Sequence, residues 1–293
     1  MRVVPRYDLF FAGLYALLML LVGAAIFFIT GSGPVLLALP FFLALYLALS
    51  LRRPLRRRRA VRAGFPGEWR EFLLARSAYF RGLDGGGRAR FERDVLLFLA
   101  ETRVAGTGGA PVSWQTRLLV ACGAAAMLHG RPDQEPPLRD GVTLYPGYAF
   151  DRNYRAGRGN IAGQAPERGP LLVAEKSLLE GFADGRDGYN VLVHELAHFF
   201  DLEARKGGLR IIAAGGRECS WGEAVGKEFN AHDFAASPLP AYAAQNEAEF
   251  FACASEMFFE DPGRLHSAHP GLYALLREFY RQDPRAILIS RKP

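Results

Sequence analysis

Two stretches near the N-terminus carry no charge: LFFAGLYALLMLLVGAAIFFIT, residues 9–30, and PVLLALPFFLALYLALSL, residues 34–51. In lipid, every backbone N–H and C=O must be satisfied within its own segment, so uncharged runs of this length fold as membrane helices. At 1.5 Å per residue each reaches about the ~30 Å of a bilayer's hydrocarbon, the second only just. Gly31-Ser32-Gly33 supplies a tight uncharged turn between them. The expectation is a transmembrane helical hairpin within residues 1–51. A cleaved signal peptide fits less well. Arg2 and Arg6 resemble its basic start, but the first run exceeds a usual signal core and a second follows at once.

Arginines decide the orientation. Arg52, Arg53, Arg56, Arg57, Arg58, Arg59 and Arg62 follow the second run, and Arg2 and Arg6 precede the first. The positive-inside rule puts both flanks in the cytoplasm. Residues 52–62 then read as a basic juxtamembrane linker, and residues 63–293 as a domain on the cytoplasmic side of the plasma (inner) membrane. The three cysteines, Cys122, Cys219 and Cys253, are odd in number and widely spaced, which suits reduced buried thiols rather than a disulfide framework. The net charge of +6 does not point to nucleic acid. Residues 1–62 alone carry +8, which leaves −2 for the rest. The basic excess sits where anionic lipid headgroups are met, and direct nucleic-acid binding is not expected.

Beyond Arg62 the texture is that of an α+β domain. An apolar stripe at helical spacing runs through residues 65–83, DGGG (84–87) interrupts it, and a second amphipathic helix covers 88–102. Ser113 caps a helix that reaches about Gly130. Residues 142–150 read as a strand with a turn in it, residues 151–170 as a surface loop or hairpin, and Leu171–Ala174 as a short strand. Asn190 is placed to cap VLVHELAHFFDLEARKGG, which Gly207-Gly208 stops. Ser220 and Glu223 form a capping-box pair. Pro240 opens a single long helix over 241–261, and Pro270 a last one that ends at Asp283-Pro284.

The chemistry is in the Asn190-capped helix. His194 and His198 are four apart, so both imidazoles share one helix face and can reach one ion. Neutral imidazole suits Zn²⁺, which at a catalytic centre takes three protein ligands and leaves a place for water. Glu195, beside the first histidine, lies at the edge of that site and can accept the proton of an attacking water. Asp201 and Ala204 stand three and six residues after His198, where a metzincin needs glycine and histidine, so that class is excluded. Asp201 is placed to orient His198. The third ligand must come from elsewhere, and Glu247, Glu249 and Glu256 all lie on the 241–261 segment. Tyr242, Glu249 and Glu256 recur every seven residues, which puts them on one stripe of a continuous helix. Spacing alone leaves the choice of carboxylate open.

GYNVLVHELAHFFD, AYAAQNEAEFFACASEMFFEDP and LYALLREFYRQDP resemble the Mlc titration factor A family of zinc metallopeptidases, as do FPGEWREFLLAR and VTLYPGYAF. The resemblance covers most of residues 65–284 and none of the apolar runs. It implies a zincin-like domain with one zinc ion on His194, His198 and Glu249, Glu195 as general base, and Tyr242 near the metal to hydrogen-bond an oxyanion. It implies a gluzincin-like peptidase acting on peptides or proteins, of which an aminopeptidase is one form. Leu171–Ala174 is the strand expected to align substrate. The alternative is a zinc-stabilised binding module that sequesters a cytoplasmic, repressor-type regulator at the membrane.

Overall fold

The computed structural model describes residues 1, 6–31, 33–138, 140–151, 160–212 and 216–289, with the side chains of 6–9, 35–37 and 289 outside that description. Arg2, Ser32 and residues 152–159 of the 151–170 segment therefore lie outside the described residues. The chain parts into two compact units, residues 2–64 and residues 65–293 with Met1.

The first unit is helical throughout: α1 (Arg6–Thr30), α2 (Gly33–Ser50) and α3 (Arg52–Arg62). Helices α1 and α2 pack side by side. A Cβ at Gly23 would come within 2.9 Å of the Leu39 methyls, so the small residue lets the helices approach closely. Their outer surface is apolar, with Phe10, Phe28 and Phe41 all well exposed. Phe10–Thr30 is long and apolar enough to cross a membrane. The second expected span does not meet that test alone. Ala38–Ser50 passes only jointly with the arginine-rich α3, across a 43° bend. The arginines of residues 52–62 fall in helix α3.

The second unit begins with α4 (Gly67–Arg76), α5 (Ala78–Gly82) and α6 (Gly85–Glu101). The predicted 65–83 helix is split at Ser77, whose Oγ accepts from the Phe80 N–H and caps α5. The glycines of DGGG open α6 rather than break the chain, because the Asp84 carboxylate accepts from Gly87 N at 2.6 Å and supplies the N-cap. There follow β1 (Val104–Gly106), α7 (Trp114–Leu128), β2 (Val142–Tyr145), β3 (Gly163–Gln164), β4 (Leu171–Ala174) and α8 (Glu175–Gly181). The sheet order is β1-β2-β4-β3, with β1, β2 and β4 parallel and β3 antiparallel at one edge. Strand β4 is buried at all four positions, as a continuous apolar run inside a sheet should be.

The remaining elements are α9 (Val191–Lys206), the hairpin β5 (Arg210–Ile212) and β6 (Glu218–Ser220), α10 (Trp221–Ala231), α11 (Glu247–Glu260), α12 (Pro262–Ala268), α13 (Pro270–Tyr280) and α14 (Pro284–Ile289). Helix α9 is the central strut. It packs along α11 and also touches α7, β3 and β4. Gly123 of α7 makes room for it, since a Cβ there would lie 2.6 Å from Leu192 Cδ2. Trp221, Phe251, Phe258, Phe279 and Tyr280 fill the space behind α11 with ring contacts of 4.1–5.6 Å. The result is a mainly helical α+β domain in which α9 lies between a small sheet and a helical core.

A candidate metal centre between two helices

The cap of α9 is also its anchor. Asn190 Oδ1 accepts from Val193 N, while Asn190 Nδ2 donates to Gly181 O and to Glu260 Oε1. The Asn190 backbone N–H donates to Glu256 Oε2 at 2.6 Å. Two carboxylates of α11 thus fix where the first turn of α9 begins, and with it the direction of the next histidine.

From that start, His194 and His198 come out on one face with ring centroids 4.9 Å apart. Helix α11 supplies Glu249, whose Oε2 lies 3.0 Å from His194 Nε2 and 3.5 Å from His198 Nε2. One ligand atom from each of these three residues falls within 4.8 Å of the other two. The opposite nitrogen of His194, Nδ1, meets Glu256 Oε1 at 2.7 Å. A carboxylate on Nδ1 holds the imidazole in the tautomer that presents Nε2 to a metal. Two imidazole nitrogens and one carboxylate are the donor set of a catalytic zinc site, so the residues fit that ion. A second cluster, His194, Cys253 and Glu256, adjoins the first but draws on the same imidazole.

The electrostatics match a place built for positive charge. Burial alone would lower the His194 imidazole, but hydrogen bonds with Cys253, Glu249 and Glu256 outweigh it and raise the pKa well above its usual value. Burial would raise Glu249, yet hydrogen bonds from His194 and His198 hold it down at about 2. Glu195 is only 6% exposed. Burial pushes its pKa up to about 7, against the lowering charges of the two histidines. The edge strand causes part of that burial. A Cβ at Gly163 would lie 2.5 Å from Glu195 Cγ and 2.7 Å from Oε1, so only glycine lets β3 pass over this carboxylate without displacing it.

Several sequence expectations need amending. Asp201 does not orient His198. Its carboxylate is taken by Arg205 Nε, at 2.9–3.0 Å, and by Trp221 Nε1, at 2.6 Å. Glu247 pairs with Arg205 at 3.1 Å and takes no part in the cluster. Residues 241–261 are not one helix. A 3₁₀ turn, Ala241–Ala244, is followed by Asn246, whose Oδ1 caps α11 by accepting from Ala248 N and Glu249 N. Tyr242 therefore lies off the Glu249–Glu256 stripe. The turn nonetheless returns it to the site, with its ring 6.1 Å from that of His194 and half-exposed. Burial and the Glu249 charge raise its hydroxyl pKa. Strand β4 is paired on both sides, so its backbone is not free to align a substrate, whereas β3 is the sheet edge beside Glu195. Gly163 itself was not singled out in the sequence, because a two-residue strand in IAGQAP has no apolar alternation to announce it. Tyr189 was also passed over. It is half-exposed, and burial and the Glu256 charge raise its pKa.

An α+β chain that gathers two histidines one helical turn apart and a glutamate from the helix packed alongside has the make-up of a metallopeptidase-like protein. Its residues 52–281 match the family model of the glucose-regulated metallo-peptidase M90, and the chain belongs to that family. The Synechocystis protein slr2042 is 25% identical over 234 residues, 75% of this chain and 85% of its own length. Mlc titration factor A of Yersinia pestis, and the same factor of Yersinia pseudotuberculosis, are 32% identical over 143 residues. That stretch is 45% of this chain and 52% of the factor, so the match spans about half of the Yersinia proteins.

Proposed function

We propose that this protein is a zinc-dependent peptidase held at the plasma (inner) membrane by its N-terminal helices, with its site in the cytoplasm. The domain organisation that goes with this reading is a membrane hairpin in residues 1–51, a basic segment at 52–62 and a zincin-like domain at 63–293. The single observation that carries it is the convergence of His194, His198 and Glu249, with Glu256 fixing His194 from behind. When bound there, the ion supplies Lewis acidity toward a carbonyl oxygen and toward water.

The chain's own groups do the rest. Glu195 takes the proton of the attacking water on its carboxylate and returns it to the leaving amine nitrogen. The Tyr242 hydroxyl donates a hydrogen bond to the oxyanion that develops on the scissile carbonyl. The edge strand β3 offers backbone groups to an extended peptide, which places the scissile bond next to Glu195. The test is Glu195→Gln in the full chain with short chromogenic peptides. The variant should keep its metal and lose hydrolysis by about 10²–10⁴-fold. Undiminished turnover removes Glu195 from the mechanism.

A second reading has its own support, in the likeness to Mlc titration factor A. In it the chain sequesters a regulatory protein at the membrane, and cleavage is incidental. Retention of such a partner by Glu195→Gln, with no cleavage of it by the wild type, favours this reading over the first.

A further inference from the structure

Away from the metal centre, the C-terminal half of α9 forms one wall of a cavity of about 480 Å³, closed on the other side by the loop that follows α7. Arg131 lines it and is about nine-tenths buried. Its guanidinium stacks on Phe279, 4.2 Å from the ring centroid. Nη1 donates to Gln134 Oε1 at 3.0 Å. No carboxylate pairs with it among the described residues. Nε and Nη2 have no acceptor among the described residues either. Arg131 lines the cavity, so these two donors are the ones left for a ligand there. Burial draws the Arg131 pKa down only to about 10, so the group is charged at neutral pH.

Glu278 acts on Arg131 only at longer range, and a buried cation without a contacting counter-charge is costly, so a protein that keeps one commonly has an anion to meet it. The free pair matters here. Nε–H and Nη2–H form the side of the guanidinium that grips a carboxylate with two parallel hydrogen bonds. The walls beside it are mostly apolar, from Phe200, Leu209, Pro136 and Pro137, with Glu135, which has a partner of its own, also on the lining. The rim carries the exposed Glu203, a negative group suited to an ammonium. We propose that this cavity binds a free amino acid or short peptide with a bulky apolar side chain, its carboxylate on Arg131 and its amino group toward Glu203. The proposal does not depend on the peptidase reading, since it uses none of the metal-binding residues.

Isothermal titration of the full chain in detergent micelles tests it, with phenylalanine, alanyl-phenylalanine, N-acetylphenylalanine and phenylalaninamide as probes. Phenylalanine, the dipeptide or both should bind saturably, and the comparison tells the free amino acid from the peptide. Phenylalaninamide, which lacks the carboxylate, should bind at least roughly tenfold more weakly than phenylalanine. Arg131→Gln should lose binding by a similar factor. Because Arg131 is packed on Phe279, the exposed Glu203→Ala provides a variant that does not disturb the core. It should weaken phenylalanine while leaving N-acetylphenylalanine unchanged. Equal binding of phenylalanine and its amide, absence of saturable heat with both phenylalanine and the dipeptide, or wild-type binding by a folded Arg131→Gln would overturn the proposal.

Discussion

Glu195 is the residue on which position and acidity meet. A base must be deprotonated to accept a proton, so with Glu195 as base kcat/KM rises with pH and levels off once that group has ionised. Its pKa stands near 7 from burial. A divalent ion on the adjacent His194 lowers it, so the acidic limb is expected at or below pH 7. A kcat/KM that falls as pH rises from 5 to 7 would contradict this assignment. Gly163 tests the same carboxylate from the other side. Gly163→Ala puts a methyl 2.5 Å from Glu195 Cγ, well inside contact distance, so either the strand or the base must shift. The expected result is a kcat reduced roughly tenfold or more with metal content intact, since a small misplacement of a reacting group is expensive. An unchanged kcat would show that β3 does not constrain Glu195. His194 gives a third expectation. Its imidazole binds a proton tightly between Glu249 and Glu256, and a metal must displace a proton from Nε2. Zinc affinity should therefore fall as pH falls, measured with a competing chelator.

At the scale of elements, the coupling of α9 to α11 is what makes the centre. Asn190 caps one helix while touching Glu256 and Glu260 of the other, so the two cannot slide independently. Burial pushes the Glu260 carboxyl up to about 8. Since its folded-state pKa lies above the ordinary 4.5, the protonated group's contribution to stability is complete below about 4.5. It is lost as pH rises through about 8. Thermal unfolding of the full chain should show the wild type losing stability across that window and Glu260→Gln losing less. Identical pH dependence in the two would rule out Glu260 as the source. Much at this scale was legible in the sequence, because the signals are local. The Asn190 cap, the Ser220–Glu223 capping box, the Gly207-Gly208 stop and the Pro270 start all act within one turn of the helix they bound. What was not legible depends on distant partners. The break at Asn246 is the exception, a local cap on Ala248 and Glu249 that the continuous periodicity of 241–261 runs across and obscures. The β5–β6 hairpin and the two-residue β3 are too short to carry a pattern. Glu256 and Glu249 share a stripe, and only the packing of α11 on α9 turns one to Nδ1 of His194 and the other to Nε2.

For the whole molecule, the two units make separate claims. Phe10–Thr30 has the length and hydropathy of a span, and the second helix is apolar but short, with a bend into α3. In the proposed arrangement the chain stays with membranes after alkaline carbonate extraction, and removal of residues 6–50 releases it. Full release of the intact chain by carbonate would end the anchoring proposal. The domain's central claim is that α9 and α11 together hold one divalent ion, and metal analysis of the purified full chain tests it most directly. The account predicts about one zinc per chain, retained in Glu195→Gln and lost in His194→Ala, His198→Ala and Glu249→Gln. A wild type without stoichiometric divalent metal, or a folded Glu249→Gln that keeps its zinc undiminished, would contradict it.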